Sequence, residues 1–132
     1  MKTQSPPCQN ILIAEDNDDI RETIEETLKN EGYRVYAEKN GKDALAKLKS
    51  LKGPTLVLLD LMMPVMNGWE FLDAQKTEAV LTPHTIVTIS AVPATESLND
   101  PTLLMTAGSL QKPISMKPLL ETVSRFCGPA PL

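Results

Sequence analysis

The sequence predicts an α/β fold in which a parallel sheet carries helices on both faces, and three observations lead there. Short apolar runs alternate with helix-length amphipathic stretches five times along the chain. The run Leu56-Val57-Leu58-Leu59 carries no polar position, as expected of a strand buried on both faces. Turn residues separate each run from the next, which leaves room for crossovers between parallel strands. At 132 residues the chain has room for one domain of ordinary size, and it shows neither an internal repeat nor a low-complexity stretch.

The elements follow in order. Ile11 to Ala14 forms a first strand that runs into the acidic stretch Glu15-Asp16-Asn17-Asp18-Asp19. A helix comes next, with Ile20, Ile24 and Leu28 inward, Glu22, Glu25, Glu26 and Lys29 outward, and Gly32 as its stop. Residues 33–37 alternate as a second strand, and 42–51 form a helix with Ala44, Leu45 and Leu48 inward, closed by Gly53-Pro54. The third strand delivers one carboxylate, Asp60, at its carboxyl end and is followed by the turn signals Pro64 and Asn67-Gly68.

A third helix over 68–77 uses Trp69, Phe71 and Leu72, and a fourth strand over 85–89 ends in Ser90-Ala91. Pro93 and Asn99-Asp100-Pro101 interrupt the next helix, so a short one is expected to start near Pro101 with Asp100 as its cap. Residues 107–111 form a fifth strand ending at Lys112-Pro113. A last helix over 115–126 carries Met116, Leu119, Leu120, Val123 and Phe126 on one face. Gly128 and the proline-rich end terminate it. The domain is thus expected over 10–127, with a disordered tail over 1–9 and a second tail over 128–132.

Composition narrows the function. With 42% hydrophobic and 23% charged residues, the chain reads as a soluble globular protein. A net charge of −4 disfavours direct nucleic-acid binding, which needs a basic face. No apolar run is long enough to span a bilayer and the N-terminus is polar, so no membrane contact and a cytoplasmic location are expected. Cys8 and Cys127 do not make a disulfide framework, and free thiols are expected in a reducing compartment.

Four strands end in polar groups on one sheet edge: Glu15-Asp16, Asp60, Ser90 and Lys112. Three carboxylates brought together are costly unless a cation neutralises them, and hard oxygen donors suit Mg²⁺. A lysine and a hydroxyl beside such an ion supply what a phosphoryl group needs. A carboxylate can act as the nucleophile that accepts phosphoryl, and Asp60 at the centre is the candidate. Taken singly, these residues have plainer readings. The acids at 16–19 would cap a helix, and Lys112 would be a solvated charge. His84 is expected in a surface or capping role, Met62, Met63 and Met66 as gap fillers, and Trp69 as a packing residue.

In their order and spacing these residues resemble the receiver domain of two-component response regulators, of the single-domain, chemotaxis-regulator-like kind. The resemblance rests on Ile11 to Asp16, Asp60-Leu-Met-Met-Pro-Val-Met-Asn-Gly68, Ser90-Ala91 and Lys112-Pro113, and it covers about 10–126. It implies a flavodoxin-like sheet in the order 2-1-3-4-5. It also implies that Asp60 takes phosphoryl from a phosphohistidine on a sensor histidine kinase or a histidine phosphotransfer protein. Asp16 would hold Mg²⁺ directly and Glu15 through water, with Asp60 and the backbone carbonyl of Met62 completing the ligands. Lys112 would contact the phosphoryl oxygens, Ser90 would bond them after transfer, and the Lys112-Pro113 bond would be cis.

The chain departs from the family pattern at Ser109, where an aromatic residue is usual, and has Ser90 where Thr is commoner. Local ordering over 94–108 is therefore the expected route for the signal. Few residues follow Phe126, so the domain is expected to stand alone and to act on a downstream protein target. No catalysis is expected beyond Mg²⁺-dependent self-phosphorylation and slow dephosphorylation. A small phosphohydrolase using Asp60, or a binding module that signals without phosphate, are the two other classes the residues allow.

Overall fold

The apolar runs become strands of one parallel sheet: β1 (Asn10–Ala14), β2 (Val35–Glu38), β3 (Thr55–Asp60), β4 (His84–Ser90) and β5 (Gly108–Gln111). The computed structural model describes residues 8–78, 80, 83–91 and 106–128. The helices among them are α1 (Asp18–Asn30), α2 (Gly41–Ser50), α3 (Gly68–Thr77) and α4 (Met116–Cys127). The strands lie in the order β2-β1-β3-β4-β5, as the resemblance implies. The expected short helix near Pro101 with its Asp100 cap, the Pro93 break and most of 94–108 lie outside the described residues. So do Leu98, Leu104 and Met105, together with 1–7 and 129–132.

Every residue of β1 and β3 is buried, which is why their sequences carry no alternation. The pleat divides their side chains between two cores. Ile11, Ile13, Leu56, Leu58, Val87 and Ile89 face Ile24 and Leu28 of α1 and Leu119 and Val123 of α4. Leu12, Ala14, Val57, Leu59 and Ile86 face Ala44, Leu45 and Leu48 of α2 and Phe71 and Leu72 of α3. Among the described residues, two helices thus pack on each face of the sheet.

Asparagines start three of the helices. Asn17 accepts from the Ile20 N–H at 2.9 Å, Asn40 from Asp43 at 2.8 Å and Asn67 from Glu70 at 2.8 Å. Glu70 returns the bond by accepting from the Asn67 N–H at 2.9 Å, a reciprocal cap that fixes where α3 leaves the β3 loop. With Asn17 as the cap, Asp18 and Asp19 fall in the first turn, where Asp18 pairs with Arg21.

Element edges shift where backbone bonding extends past the apolar pattern. β2 starts at Val35 because Gly32 takes a positive φ of 96° and the Tyr33 N–H turns back to the Leu28 carbonyl at 3.1 Å. β4 includes His84, which pairs in register with Thr55 and bonds Gln75 Oε1 at 2.7 Å, so this histidine opens the strand. In α4 the buried stripe is Leu119, Val123 and Cys127, while Met116 is 36% exposed.

The cysteine expectation is overturned. Cys8 and Cys127 form a disulfide with their Cα atoms 4.4 Å apart, although 119 residues separate them in sequence. The free-thiol reading rested on compartment chemistry and on sequence distance. The fold brings the approach to β1 and the last residue of α4 to the same end of the same core. Nearby, Tyr33 donates its hydroxyl to the Gly128 carbonyl at 2.9 Å, and the Gln9 N–H donates to the Pro54 carbonyl at 2.7 Å.

Candidate functional site

The carboxyl ends of the strands bring the acids together. β1 runs into Glu15, which is fully buried, and Asp16, which is exposed; β3 ends on Asp60, which is 1% exposed. Carboxylate oxygens of Glu15, Asp16 and Asp60 lie within 4.8 Å of one another. β4 ends on buried Ser90, and Lys112 follows β5. The Lys112 N–H donates to the Ser90 carbonyl at 2.9 Å, so the ladder itself sets lysine beside serine.

Lys112 Nζ stands 3.2 Å from Glu15 Oε1 and 3.4 Å from Asp60 Oδ2, reaching inward from a side chain that is 23% exposed. The other oxygens are hydrogen-bonded: Asp60 Oδ1 accepts from the Met62 N–H and Glu15 Oε2 from the Asn17 N–H, each at 3.1 Å, and Glu15 Oε2 also accepts from Lys112 Nζ at 3.4 Å. Glu15 Oε1 and Asp60 Oδ2 are buried and have no hydrogen-bond partner, because Lys112 meets them as a charge without bonding geometry.

Burial pushes the Asp60 carboxyl up to about 7, and the neighbouring Glu15 adds to the rise, against the Met62 N–H and the Lys112 charge. For Lys112, burial pulls down, but the Asp60 and Glu15 carboxylates outweigh it and hold the ammonium above its usual value. The site therefore has more buried negative charge than one lysine neutralises. Its two unsatisfied oxygens and all-oxygen donor set fit a hard divalent cation such as Mg²⁺.

A soft-metal alternative finds no support in the methionines. Met63 is buried in the core and Met66 packs against it, as gap fillers do. Met62, expected among them, is 66% exposed, because the backbone turns at Asp60 and sends it to the surface. Trp69 packs on the α2–α3 core as expected. His84 lies at the start of β4, the opposite end of the strand from Ser90. Ser109 is exposed on β5, across from Thr88.

Sequence reasoning missed several residues that shape the site. A Cβ on Gly68 would stand 2.7 Å from Leu61 Cα and 2.8 Å from the Asp60 carbonyl oxygen, and one on Gly41 would stand 2.4 Å from the Met66 oxygen. Gly68 lets the start of α3 lie against Asp60 and Leu61, and Gly41 lets the Met66 backbone of the β3–α3 loop approach the start of α2. Within that loop Val65 takes φ = 68°, a left-handed conformation unusual for a β-branched residue. Arg21 bridges the Glu15 carbonyl at 3.1 Å and Asp18 at 2.6 Å. Asn67-Gly68 was readable as a turn signal; nothing in the sequence points to Gly41, Arg21 or Val65.

Comparison with known proteins adds the family. The family model described as "Response regulator receiver domain" matches residues 11–124. The transcriptional regulatory protein CrdR of Helicobacter pylori is 30% identical over 124 residues, which make up 94% of this chain and 57% of CrdR. The chain spans about half the length of the curated relatives it matches. Among solved structures, a CheY-like receiver domain protein from Methanospirillum hungatei superposes with a TM-score of 0.79 at 24% identity, covering 90% of this chain and 94% of that one. Response regulator TrrA of Thermotoga maritima, solved in complex with Mg(2+)-BeF, gives a TM-score of 0.74 at 28% identity, covering 89% and 98%.

Proposed function

Since the chain belongs to the response regulator receiver family, a family of signalling domains, we propose that Asp60 is its phosphoacceptor, within a domain over 10–127 flanked by tails over 1–9 and 128–132. The donor is a phosphohistidine on a sensor histidine kinase or a histidine phosphotransfer protein. The observation that carries this reading is Asp60 Oδ2: buried, without a hydrogen bond, and 3.4 Å from Lys112 Nζ. Its sister Oδ1 is held by the Met62 N–H, which turns Oδ2 toward the incoming phosphorus.

In the transfer, Oδ2 bonds to phosphorus as the N–P bond of the donor breaks, and the leaving imidazole nitrogen takes up a proton. Lys112 draws off charge from the phosphoryl oxygens at its fixed place beside Ser90, and the Ser90 hydroxyl donates to them once transfer is complete. Asp16 would hold Mg²⁺ directly and Glu15 through water, with Asp60 and the Met62 backbone carbonyl as the remaining protein ligands. Bound there, the ion would neutralise the carboxylates and polarise the phosphoryl group. The Mg(2+)-BeF complex named for TrrA supports a metal at such a site.

The chain's own chemistry is then confined to self-phosphorylation and slow dephosphorylation. A downstream protein reads the change; relatives named as transcriptional regulators make a DNA-binding protein a fitting target. The acidic balance of −4 supports contact with protein rather than with nucleic acid or an anionic membrane. The same reading makes the protein cytoplasmic; among the described residues no helix is long and apolar enough to cross a membrane.

The test is intact-protein mass after incubation with acetyl phosphate. A gain of one phosphoryl that needs Mg²⁺ and disappears in Asp60→Asn is the expected result. Equal labelling of wild type and Asp60→Asn would refute the assignment.

A further inference from the structure

At the end of the molecule away from the acids, the two sulfurs of the Cys8–Cys127 disulfide sit in unequal surroundings. Cys127 closes α4 among Leu119 and Val123 and is 3% exposed. Cys8 is half-buried and borders a surface cavity of ≈ 440 Å³, which it lines with Pro54, Thr55, Pro83, His84 and Phe126. Cys127 does not line that cavity. Thiol–disulfide exchange requires a thiolate to reach one particular sulfur, so access decides which one is attacked.

We propose that Cys8 is a thiol-modification site, at which a low-molecular-weight thiol of the glutathione class opens the disulfide and becomes bound through its own sulfur. The incoming thiolate bonds to Cys8 Sγ, the Cys8–Cys127 bond breaks, and its electron pair passes to Cys127 Sγ, which takes a proton. A second thiolate then attacks the adduct, releasing the small disulfide and leaving Cys8 reduced. Two small thiols are oxidised and one protein disulfide is reduced. Run in the other direction, the oxidised small disulfide modifies Cys8, and Cys127 displaces it to close the bond.

The cavity matches the task. Its volume falls in the range that holds small ligands, and its walls combine the apolar faces of two prolines, a leucine and a phenylalanine with two threonines and an imidazole. Such a lining suits the amide-rich body of a peptide thiol. Because the bond joins the approach to β1 to the end of α4, its opening loosens that end of the fold and leaves Lys112, Asp60 and Glu15 together at the other.

Single variants test the assignment. Folded Cys127→Ser, incubated with glutathione disulfide, should gain one glutathionyl group, mapped by peptide mass to Cys8. Folded Cys8→Ser should gain none, yet gain one on Cys127 in denaturant. In the wild type, iodoacetamide should label neither cysteine before reduction; after it, Cys8 should react about tenfold faster or more, as expected for a thiol at a cavity against one in a core. That reduced wild-type measurement decides the matter even where a variant fails to fold. Labelling of both cysteines before reduction, or of Cys127 as fast as Cys8 afterwards, overturns the proposal.

Discussion

The two ends of the sheet are built on opposite terms. At the carboxyl end, buried Glu15 and Asp60 share one lysine and two of their oxygens have no hydrogen bond. At the amino end, the disulfide, the Tyr33–Gly128 bond and the Gln9–Pro54 bond tie chain segments together. The first arrangement spends stability on chemistry and the second restores it. A domain of this size has only ~5–15 kcal/mol of net stability, so a strained site needs such reinforcement elsewhere.

The comparison breaks most visibly at the covalent tie. Replacing both cysteines by serine should lower stability by about 5 kcal/mol, since the bond closes a loop with a sequence separation of 119. Urea denaturation under non-reducing conditions measures this, and wild type with dithiothreitol should lose a similar amount.

At the other end the sign reverses. The Asp60 carboxyl is raised from 3.8 to about 7 in the folded protein, so the native state binds the proton more tightly than the unfolded chain. Its contribution is therefore greatest below the unfolded value and is lost as pH rises through that window. Metal-free wild type should lose stability between pH 3.8 and about 7. Asp60→Asn should flatten that part of the profile and be the more stable protein above it, by on the order of 2 kcal/mol. Thermal melts in a chelator across the range check the sign, and added Mg²⁺ should narrow the gap by stabilising the wild type more.

The smallest effect sharpens the contrast inside the site. Val65→Gly relieves a left-handed β-branched residue at φ = 68° and should raise stability by about 1 kcal/mol or less, because glycine's greater freedom when unfolded offsets part of the gain. A rise in urea midpoint with unchanged slope would show it.

How much was legible follows from the range of the forces involved. β3 and α3 could be read from local pattern: an unbroken apolar run, then Asn67-Gly68 and a helical stripe. Glu15, Asp16, Asp60, Ser90 and Lys112 were legible because each lies at or just beyond a recognisable strand end, and parallel strands share an edge. The disulfide was not, since it depends on which helix end comes to lie beside the approach to β1. Nor was Gly41, whose need for a missing side chain arises from a loop 25 residues later at Met66. β2 began late because Gly32 and the Tyr33 N–H belong to the closing turn of α1. Met62 is exposed for a similar reason: a backbone turn, not its own hydrophobicity, decides where it points.

The hydrogen bond from the Lys112 N–H to the Ser90 carbonyl has a consequence for tolerance to sequence change. The backbones of lysine and serine are spaced by a rung of the main-chain ladder, which any residue but proline can donate. Side chains such as the exposed Ser109 can therefore vary without altering the spacing of the two backbones. A shift of the Ser90 backbone would therefore carry the end of β5 with it.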